Sequence, residues 1–499
     1  MKALLWGICS LAAISAAQAQ PRESATASER SEVSLTIYNQ NLSLVREERT
    51  LVLPRGTGAV IVPDIPATID GTSLHFRSIT APDAVKVLEQ SYQYDLVHQA
   101  KLLEKYVGKQ IELVRVDPAT DKEYSVPARL LSTGFSSQQG YPGGYAALGG
   151  MIVEINGKIE LNPGGRVVLP GLTEGLILKP RLEWLVASNK EGKHDVEISY
   201  LAGGLSWVCN YVALLDKSDA KLDLTAWVTI TNNSGTTFKD AGLKLVAGDV
   251  NLVKEQFAGQ MKAMRAQVAE FDAAAPQFKQ SDLFEYKLYS LQRRTNINAS
   301  ETRQIELTSG RDVAARKVFL YDGLADQWHY WRNNYSYRSQ GSFGQESNPK
   351  VGVYMTFKNE EAGGLGIPLP KGIVRVYKRD DDGREQFIGE DQIDHTPKDE
   401  EVRLYLGNAF DLVGERAQKE FKSYANGRVV EETIEVKVRN HKKESAEVLV
   451  YEHPWRWSQW EIVNSSSRWT KVDQSTLKFP VTVAADGQAT VRYTIRYSW

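Results

Sequence analysis

Apolar and polar residues alternate along three consecutive segments in the region Val196–Val250. A period of two places successive side chains on opposite faces of a strand, and short Gly- and Asn-rich interruptions are typical of tight turns. The pattern therefore predicts a meander of half-buried antiparallel strands. Its segments are Val196–Leu201, Leu205–Leu215 and Lys221–Asn232, separated by Gly203-Gly204 and by Asn232-Asn233-Ser234-Gly235.

Segments with the same alternation continue to the C-terminus from Leu283, and turn sequences such as Asn426-Gly427 separate them. So many strands in series indicate antiparallel β-sandwich architecture. The sequence predicts a mainly β protein, with one large sandwich or two sandwiches stacked end to end in residues 181–499.

An N-terminal β region is predicted for residues 32–180. A helix over residues 96–106 interrupts it, with Asp95 as the cap and Gly108 after its end. About five short strands follow, an order typical of a small SH3-like or Sm-like barrel. The Gly-rich stretch Gly134–Gly150 lacks the Gly-Lys-Ser/Thr of a phosphate-binding loop, so we predict a surface loop and no cofactor.

The period of the pattern changes in an insert over residues 255–280. Its apolar residues are spaced four, three, four and three apart, which places them on one face of a helix. Two interpretations stay open: a helix that binds a partner or associates with itself, and a helical or flexible insert whose apolar stripe lies on the sandwich or is partly disordered. The residues are Phe257, Met261, Met264, Val268 and Phe271.

The N-terminus indicates export. A short basic start precedes an apolar run to Ala17, and Ala17-Gln18-Ala19 is typical of a signal-peptidase site. We predict a signal peptide over 1–19, a flexible leader over 20–31, and a periplasmic or secreted protein. No other stretch is apolar for long enough to form a transmembrane helix. With a formal charge of -2 and interspersed charges, we expect no nucleic-acid partner.

Removal of the signal peptide would leave Cys209 as the one cysteine of the mature chain. An intrachain disulfide is then impossible, and stability has to come from core burial. Because Cys209 lies within an alternating strand, we interpret it as a buried structural residue and not as a nucleophile.

Aromatic residues are concentrated in the connection Asp326–Phe343. Ring faces with polar edges suit a groove that binds a saccharide or a peptide, whereas a hairpin with aromatic cross-strand pairs is the structural alternative. A second aromatic stretch, Glu452–Trp460, is interpreted first as a packing cluster. The candidate binding residues are Trp328, Tyr330, Trp331, Tyr335 and Tyr337, with Arg332 and Arg338 between them.

Acidic residues are concentrated in Gly389–Glu401, together with one histidine. Oxygen ligands of this kind suit a metal such as calcium, and the candidate ligands are Asp391, Asp394 and His395. The spacing fits no established metal-binding loop, so a solvated connection between strands is the alternative. No motif for nucleophilic catalysis is present.

The last strand alternates apolar and aromatic residues up to Trp499, as the closing strand of an outer-membrane barrel does. Strands such as Val429–Val438 carry too much charge for a lipid-facing wall. A strand that ends a sandwich is therefore the preferred interpretation, and the barrel is kept as an alternative.

Six stretches of the sequence together carry a family resemblance: Tyr200–Trp207, Leu243–Asn251, Glu285–Tyr289, Gly363–Tyr377, Gly389–Glu400 and Val491–Trp499. They resemble a bacterial family known as a domain of unknown function, which also forms the C-terminal part of mucoidy-inhibitor-like proteins. The resemblance covers about Glu32 to the C-terminus and implies an exported β-rich bacterial protein. It brings no established activity or site residues, and the long coiled coil of the mucoidy-inhibitor proteins is missing here.

The sequence thus predicts an exported, non-enzymatic binding or scaffolding component of the bacterial cell envelope. Its expected partner is an envelope protein or a polysaccharide. Two alternatives are a metal-assisted hydrolase that uses the acidic segment 389–401 and an outer-membrane β-barrel.

Overall fold

The structure is a computed structural model that describes residues 25–93, 99–137, 145–147, 150–171, 177, 179–248, 250–251, 277–325, 327–341 and 347–499. The predicted signal peptide and the apolar stripe Phe257–Phe271 lie outside these residues. The described chain is mainly β and its sheets are largely antiparallel, which confirms the predicted fold class. Neither described helix is long and apolar enough to cross a lipid bilayer.

The described part of the first half contains one α-helix and strands of four sheets. The elements are β1 (Ala25–Thr26), β2 (Glu32–Tyr38), β3 (Leu42–Leu53), β4 (Gly56–Pro63), β5 (His75–Ser78), β6 (Val85–Gln93), α1 (Gln99–Tyr106), β7 (Gln110–Val116), β8 (Glu123–Ser132), β9 (Phe135–Ser137), β10 (Tyr145–Ala147), β11 (Ile152–Ile155), β12 (Lys158–Leu161), β13 (Arg166–Val168), β14 (Arg181–Ser188) and β15 (Gly192–Ala202).

The described part of the second half contains longer strands and one short α-helix. The elements are β16 (Leu205–Leu215), β17 (Lys221–Asn232), β18 (Phe238–Ala247), β19 (Phe278–Leu283), β20 (Tyr286–Leu291), β21 (Thr295–Ile297), β22 (Glu301–Asp322), α2 (Gln327–Arg332), β23 (Lys350–Lys358), β24 (Gly372–Arg379), β25 (Glu385–Ile393), β26 (Glu401–Tyr424), β27 (Val429–Asn440), β28 (Ala446–Glu452), β29 (Trp460–Ser465), β30 (Thr470–Asp473), β31 (Thr476–Val483) and β32 (Gln488–Ser498).

The three segments of the predicted meander are the strands β15, β16 and β17, but they do not form one sheet. β16 pairs with β17 as predicted, whereas β15 pairs with β3 and β5 in a different sheet. The chain crosses between the sheets at Gly203-Gly204, where Gly204 has a φ of +77° and a Cβ would lie 2.9 Å from the backbone of Ser234. The single-meander prediction is therefore wrong for its first strand.

A large hydrophobic core lies between the N-terminal sheets and the sheet that contains β16 and β17. A four-stranded sheet (β1-β4-β14-β6), an eight-stranded sheet that contains β2, β3 and β15, and the first part of a thirteen-stranded sheet all contribute to it. Trp207 of β16 shows how the layers join. Its ring meets the Tyr289 ring at 6.4 Å, and its Nε1 donates to the carbonyl of Val246.

The thirteen-stranded sheet continues into a second core. β22 and β26 pass through both: Leu307 and Leu404 lie in the first core, while Tyr321 and Leu412 lie in the second. The second core packs β26, β27 and β32 against β28 and β31. The C-terminal part therefore has two hydrophobic cores that share one continuous sheet.

A smaller third core contains α1 and the sheet β12-β11-β8-β7-β13. The helix before five strands is as predicted, and Leu103 and Tyr106 are its buried residues. Among the described residues β12 and β13 each pair with one neighbour, so this sheet is open where the sequence predicted a small barrel.

Part of the predicted flexible leader is bound to the fold. Residues 25 and 26 pair in parallel with β4, and the backbone N–H of Ser28 donates to the carbonyl of Thr50 at 3.0 Å. Arg30 is largely buried and pairs with Glu47 and Asp64. The polar composition of the leader did not predict this contact, because Glu47 and Asp64 are distant from Arg30 in the sequence.

Candidate functional site

The two aromatic stretches of the sequence lie together at one end of the second core. Trp328 of α2 stacks on His453 with ring centroids 4.5 Å apart, and Trp331 meets Trp455 at 5.3 Å. Trp328 and Trp455 share a small cluster with Leu324, and Trp331 packs against it. The stretch Glu452–Trp460 thus lies beneath the candidate binding residues. We call this stretch, together with Leu324 and Trp328, the base.

The candidate binding residues differ in exposure. Trp328 is 8% exposed and belongs to the base, whereas Tyr330 and Tyr335 are 66% and 72% exposed. Trp331 and Tyr337 are partly buried, and the Tyr330 and Tyr337 rings lie 6.1 Å apart. The connection is a helix and a 3-10 turn, not the hairpin considered as the alternative.

Arg338 lies between two rings of this site. Its Cζ is 3.6 Å from the centroid of the Tyr335 ring and 3.9 Å from that of Trp457. Cation-π contacts on both sides limit the orientations that the guanidinium can adopt. We call the set Tyr330, Tyr335, Tyr337, Arg338 and Trp457 the aromatic surface.

A buried arginine connects the aromatic surface to the second core. The Arg456 side chain is fully buried, and its Nη1 donates to the carbonyls of Tyr337, Arg338 and Gln340 at 3.1, 3.0 and 2.7 Å. Its Nε donates to Glu432 at 3.1 Å. One guanidinium therefore fixes the backbone that carries the exposed rings.

Glu432 keeps its charge in this buried position. Burial raises the pKa of Glu432, but Arg456, Arg416 and the Gln418 hydrogen bond together outweigh burial and hold that pKa below its usual value. Gln418 donates to the same carboxylate at 2.8 Å. Glu432 is therefore a buried anion with three neighbours that stabilise it.

A second buried pair lies beside the first. Arg416 Nε donates to both carboxylate oxygens of Glu452 at 3.0 Å, and the Tyr493 hydroxyl donates to Glu452 as well. Burial raises the pKa of Tyr493 well above its usual value, and the Glu452 charge raises it further, so the phenol stays a donor. The two pairs form a charge network inside an otherwise apolar core.

His453 connects this network to the rings. Nδ1 lies 3.0 Å from the carbonyl oxygen of Ser475, and Nε2 lies 3.0 Å from Asp322 Oδ2. Both neighbours are acceptors, so both nitrogens make hydrogen bonds only when the imidazole is protonated. Burial lowers the pKa of His453, but Asp322, the Ser475 carbonyl and the Glu452 charge together outweigh burial, and the pKa lies above its usual value.

We expect the stability of this base to decrease as pH rises. Because the pKa of His453 is higher in the folded than in the unfolded chain, its contribution is complete below the unfolded pKa and is lost as pH rises through the folded pKa. The melting-temperature difference between wild type and His453→Gln should therefore be larger at pH 6 than at pH 9. A difference that does not change with pH would contradict this. His441→Gln, at an exposed position, is the control.

The acidic segment shows a different arrangement. Asp391 on β25 accepts the backbone N–H of Tyr405 on β26 at 2.7 Å, so its carboxylate connects two strands that do not pair. Asp394 is highly exposed and lies 3.5 Å from Lys371 Nζ. The ring nitrogen Nδ1 of His395 accepts the backbone N–H of Lys371.

Within the described part of the chain, no three His, Cys, Asp or Glu side chains are grouped so that they could hold a metal ion. Asp391, Asp394 and His395 each make the protein contact described above, and the structure does not gather the three into one cluster. The metal hypothesis therefore stays a prediction without support from this geometry. Cys209 is buried, and burial raises the pKa of its thiol to about 12, as expected for a structural cysteine.

Sequence reasoning missed Glu432, Arg456 and His453 as parts of the site. A signal was present for Glu432, which occupies the same face of β27 as Val430, Ile434 and Val436. A charged residue at a core position predicts a buried partner. The sequence could not identify that partner, because Arg456 belongs to a different stretch.

No protein-family model matches the chain, and no curated protein matches it. The resemblance drawn from the sequence therefore stays a prediction.

Proposed function

We propose that the chain is an exported, non-enzymatic binding component of the bacterial cell envelope, and that it binds its partner through the aromatic surface. The observation that carries the proposal is the combination of exposed rings and a fixed base. Tyr330 and Tyr335 expose most of their surface, while Arg456 and Trp328 hold the segment that carries them.

Exposed rings on a rigid base favour binding for an energetic reason. Tyrosine offers a large contact area and has two side-chain torsions to immobilise, so little entropy is lost on association. A fixed backbone lowers that cost further. Solvated ring faces add nothing to core burial, so packing of the core does not account for their position.

The titratable groups beneath the surface support a binding role over catalysis. Glu432 and His453, the buried titratable groups described above, are both bound to protein partners. Their contacts hold the rings in place. A reacting group would need access to a ligand.

The double variant Tyr330→Ala/Tyr335→Ala tests the proposal. We expect it to lower retention of the protein on isolated cell-envelope material about tenfold, since aromatic anchors supply much of the energy of such interfaces. Its melting temperature should equal that of wild type, because both rings are exposed. Tyr124→Ala, at a half-exposed tyrosine of β8, is the matched control.

Retention of the double variant at the wild-type level would show that the aromatic surface is not the binding site. Trp328→Ala is unsuitable for this test. Trp328 is part of the base, and its loss is expected to destabilise the fold.

A further inference from the structure

One cation of the aromatic surface has no hydrogen-bond acceptor within the described chain. Arg338 Nε is buried without a partner, and no ion pair joins Arg338 to a described carboxylate. Arg456 differs in its hydrogen bonds, because its guanidinium donates to Glu432 and to three carbonyls. Arg338 therefore has N–H donors that make no hydrogen bond to the described chain.

The surrounding rings determine where such an acceptor can lie. Tyr335 and Trp457 each lie within 4 Å of the Arg338 Cζ, measured to their ring centroids. The N–H groups of a guanidinium point outward in its own plane, so rings over its faces leave that plane for hydrogen bonds. An acceptor on a ligand would then lie beside the rings.

The rim next to the aromatic surface also carries positive charge. Arg332 donates to the hydroxyl of Ser475 and Lys471 to the side-chain oxygen of Gln474, so neither cation is paired with a described carboxylate in these contacts. Lys471 lies 4.9 Å from the centroid of the Trp460 ring. The acid on this turn, Asp473, accepts the backbone N–H of Ser475.

We propose that the ligand of the aromatic surface is a glycan whose sugars carry carboxylates. The exposed rings of Tyr330 and Tyr335 suit the apolar faces of sugar rings, and Arg338 supplies the planar donor pair that a carboxylate accepts. The inference rests on the proposed function, because it names the ligand class of the same surface.

An acidic peptide fits the surface less well. Peptides dock by adding a strand to a free sheet edge, by laying a helix into an apolar groove or by filling aromatic-lined grooves as extended chains, and acidic motifs also bind clusters of arginines. The aromatic surface lies on a short helix and a 3-10 turn, which offer no free strand edge. Exposed ring faces beside a guanidinium match a flat, charged sugar better.

Polygalacturonate and its methyl ester form a matched pair of probes, since they share the sugar backbone and differ in charge. We expect the wild-type protein to bind polygalacturonate at least about tenfold more tightly than the ester, as charge-assisted hydrogen bonds require. Arg338→Gln should reduce this ratio to less than about twofold. Arg375→Gln, a partly exposed arginine of β24 paired with Glu390, should keep it.

Equal affinity of wild type for polymer and ester would overturn the inference, and so would an unchanged ratio in Arg338→Gln. Polyglutamate binding as tightly as polygalacturonate would also overturn it, since charge alone would then suffice. If Arg338→Gln lowers the melting temperature, Arg332→Gln replaces it, and the ratio should then fall at least about threefold; an unchanged ratio would again overturn the inference.

Failure of the inference is separable from failure of the proposed function. Loss of envelope retention in Tyr330→Ala/Tyr335→Ala, together with equal affinity for the two polymers, leaves the binding surface in place and rejects the acidic glycan. Envelope retention that does not depend on the tyrosines rejects the proposed function itself.

Discussion

Arg456→Met is expected to lower the free energy of unfolding of the C-terminal sandwich by about 3–5 kcal/mol, because it leaves Glu432 buried without its cation. Both side chains are almost completely buried and lie 3.0 Å apart. The substitution also removes the three hydrogen bonds to the carbonyls of Tyr337, Arg338 and Gln340. We therefore expect binding at the aromatic surface to be lost as well.

Chemical denaturation measures the stability, and near-ultraviolet circular dichroism reports on the surrounding tryptophans. Arg439→Met is the matched control: Arg439 forms an exposed pair with Glu415 at 2.9 Å, so its loss should cost less than about 1 kcal/mol. Similar costs for the two variants would contradict the buried-pair interpretation.

The double variant Arg456→Met/Glu432→Gln separates the effect of the unpaired buried charge from the effect of the lost backbone contacts. Removing both charges should recover part of the lost stability, because no uncompensated anion remains. The backbone of the aromatic surface would still lack its anchor, so binding should stay weak. Recovery of binding would show that Arg456 does not position the surface.

Acid should weaken this network in the wild-type protein. The pKa of Glu432 is lower in the folded than in the unfolded chain, so the stabilisation is present above the unfolded pKa and is lost as pH falls through the folded pKa. His453 acts in the opposite direction, since its contribution is lost as pH rises. The two groups together stabilise the fold most between the pH at which Glu432 becomes protonated and the pH at which His453 loses its proton.

Trp207→Ala is expected to destabilise the first core by about 3–5 kcal/mol, as large-to-small substitutions at buried aromatics do. Trp207 is 2% exposed, and the substitution removes its edge contact with Tyr289 and its hydrogen bond to Val246. These contacts join β16 to the eight-stranded sheet. The cavity would therefore open between two layers.

The next residue along β16 provides the control. Val208 is 53% exposed because successive side chains of a strand point to opposite faces, and Val208→Ala should change stability by less than about 1 kcal/mol. Thermal and chemical unfolding measure both variants. A small effect of Trp207→Ala would mean that the two sheets are held together elsewhere.

Strand positions were predictable where one face of the strand is apolar. The bounds of β16 and β17 coincide with the predicted segments Leu205–Leu215 and Lys221–Asn232, because their buried residues alternate without interruption. The length of β26, Glu401–Tyr424, was not predictable in this way. Arg416 occupies a core position in its second half, so the alternation of apolar residues breaks there.

The candidate site was predictable in part. The aromatic density of Asp326–Phe343 indicated a binding region, and two of its tyrosines are exposed on the structure. The sequence did not distinguish Trp328 from Tyr330, since both are aromatic residues of one segment. Only the position of Glu452–Trp460 beneath α2 makes one residue core and the other surface.

By itself the sequence determined that the chain is a mainly β protein, because a period of two depends on local backbone geometry alone. The tertiary structure decided which sheet each strand joins: β15 alternates as β16 does, yet the two lie in different layers. It also decided that Glu432 and Arg456 face each other in a core. Alternation records that one face of a strand is buried, but it carries no information about which distant residue covers that face.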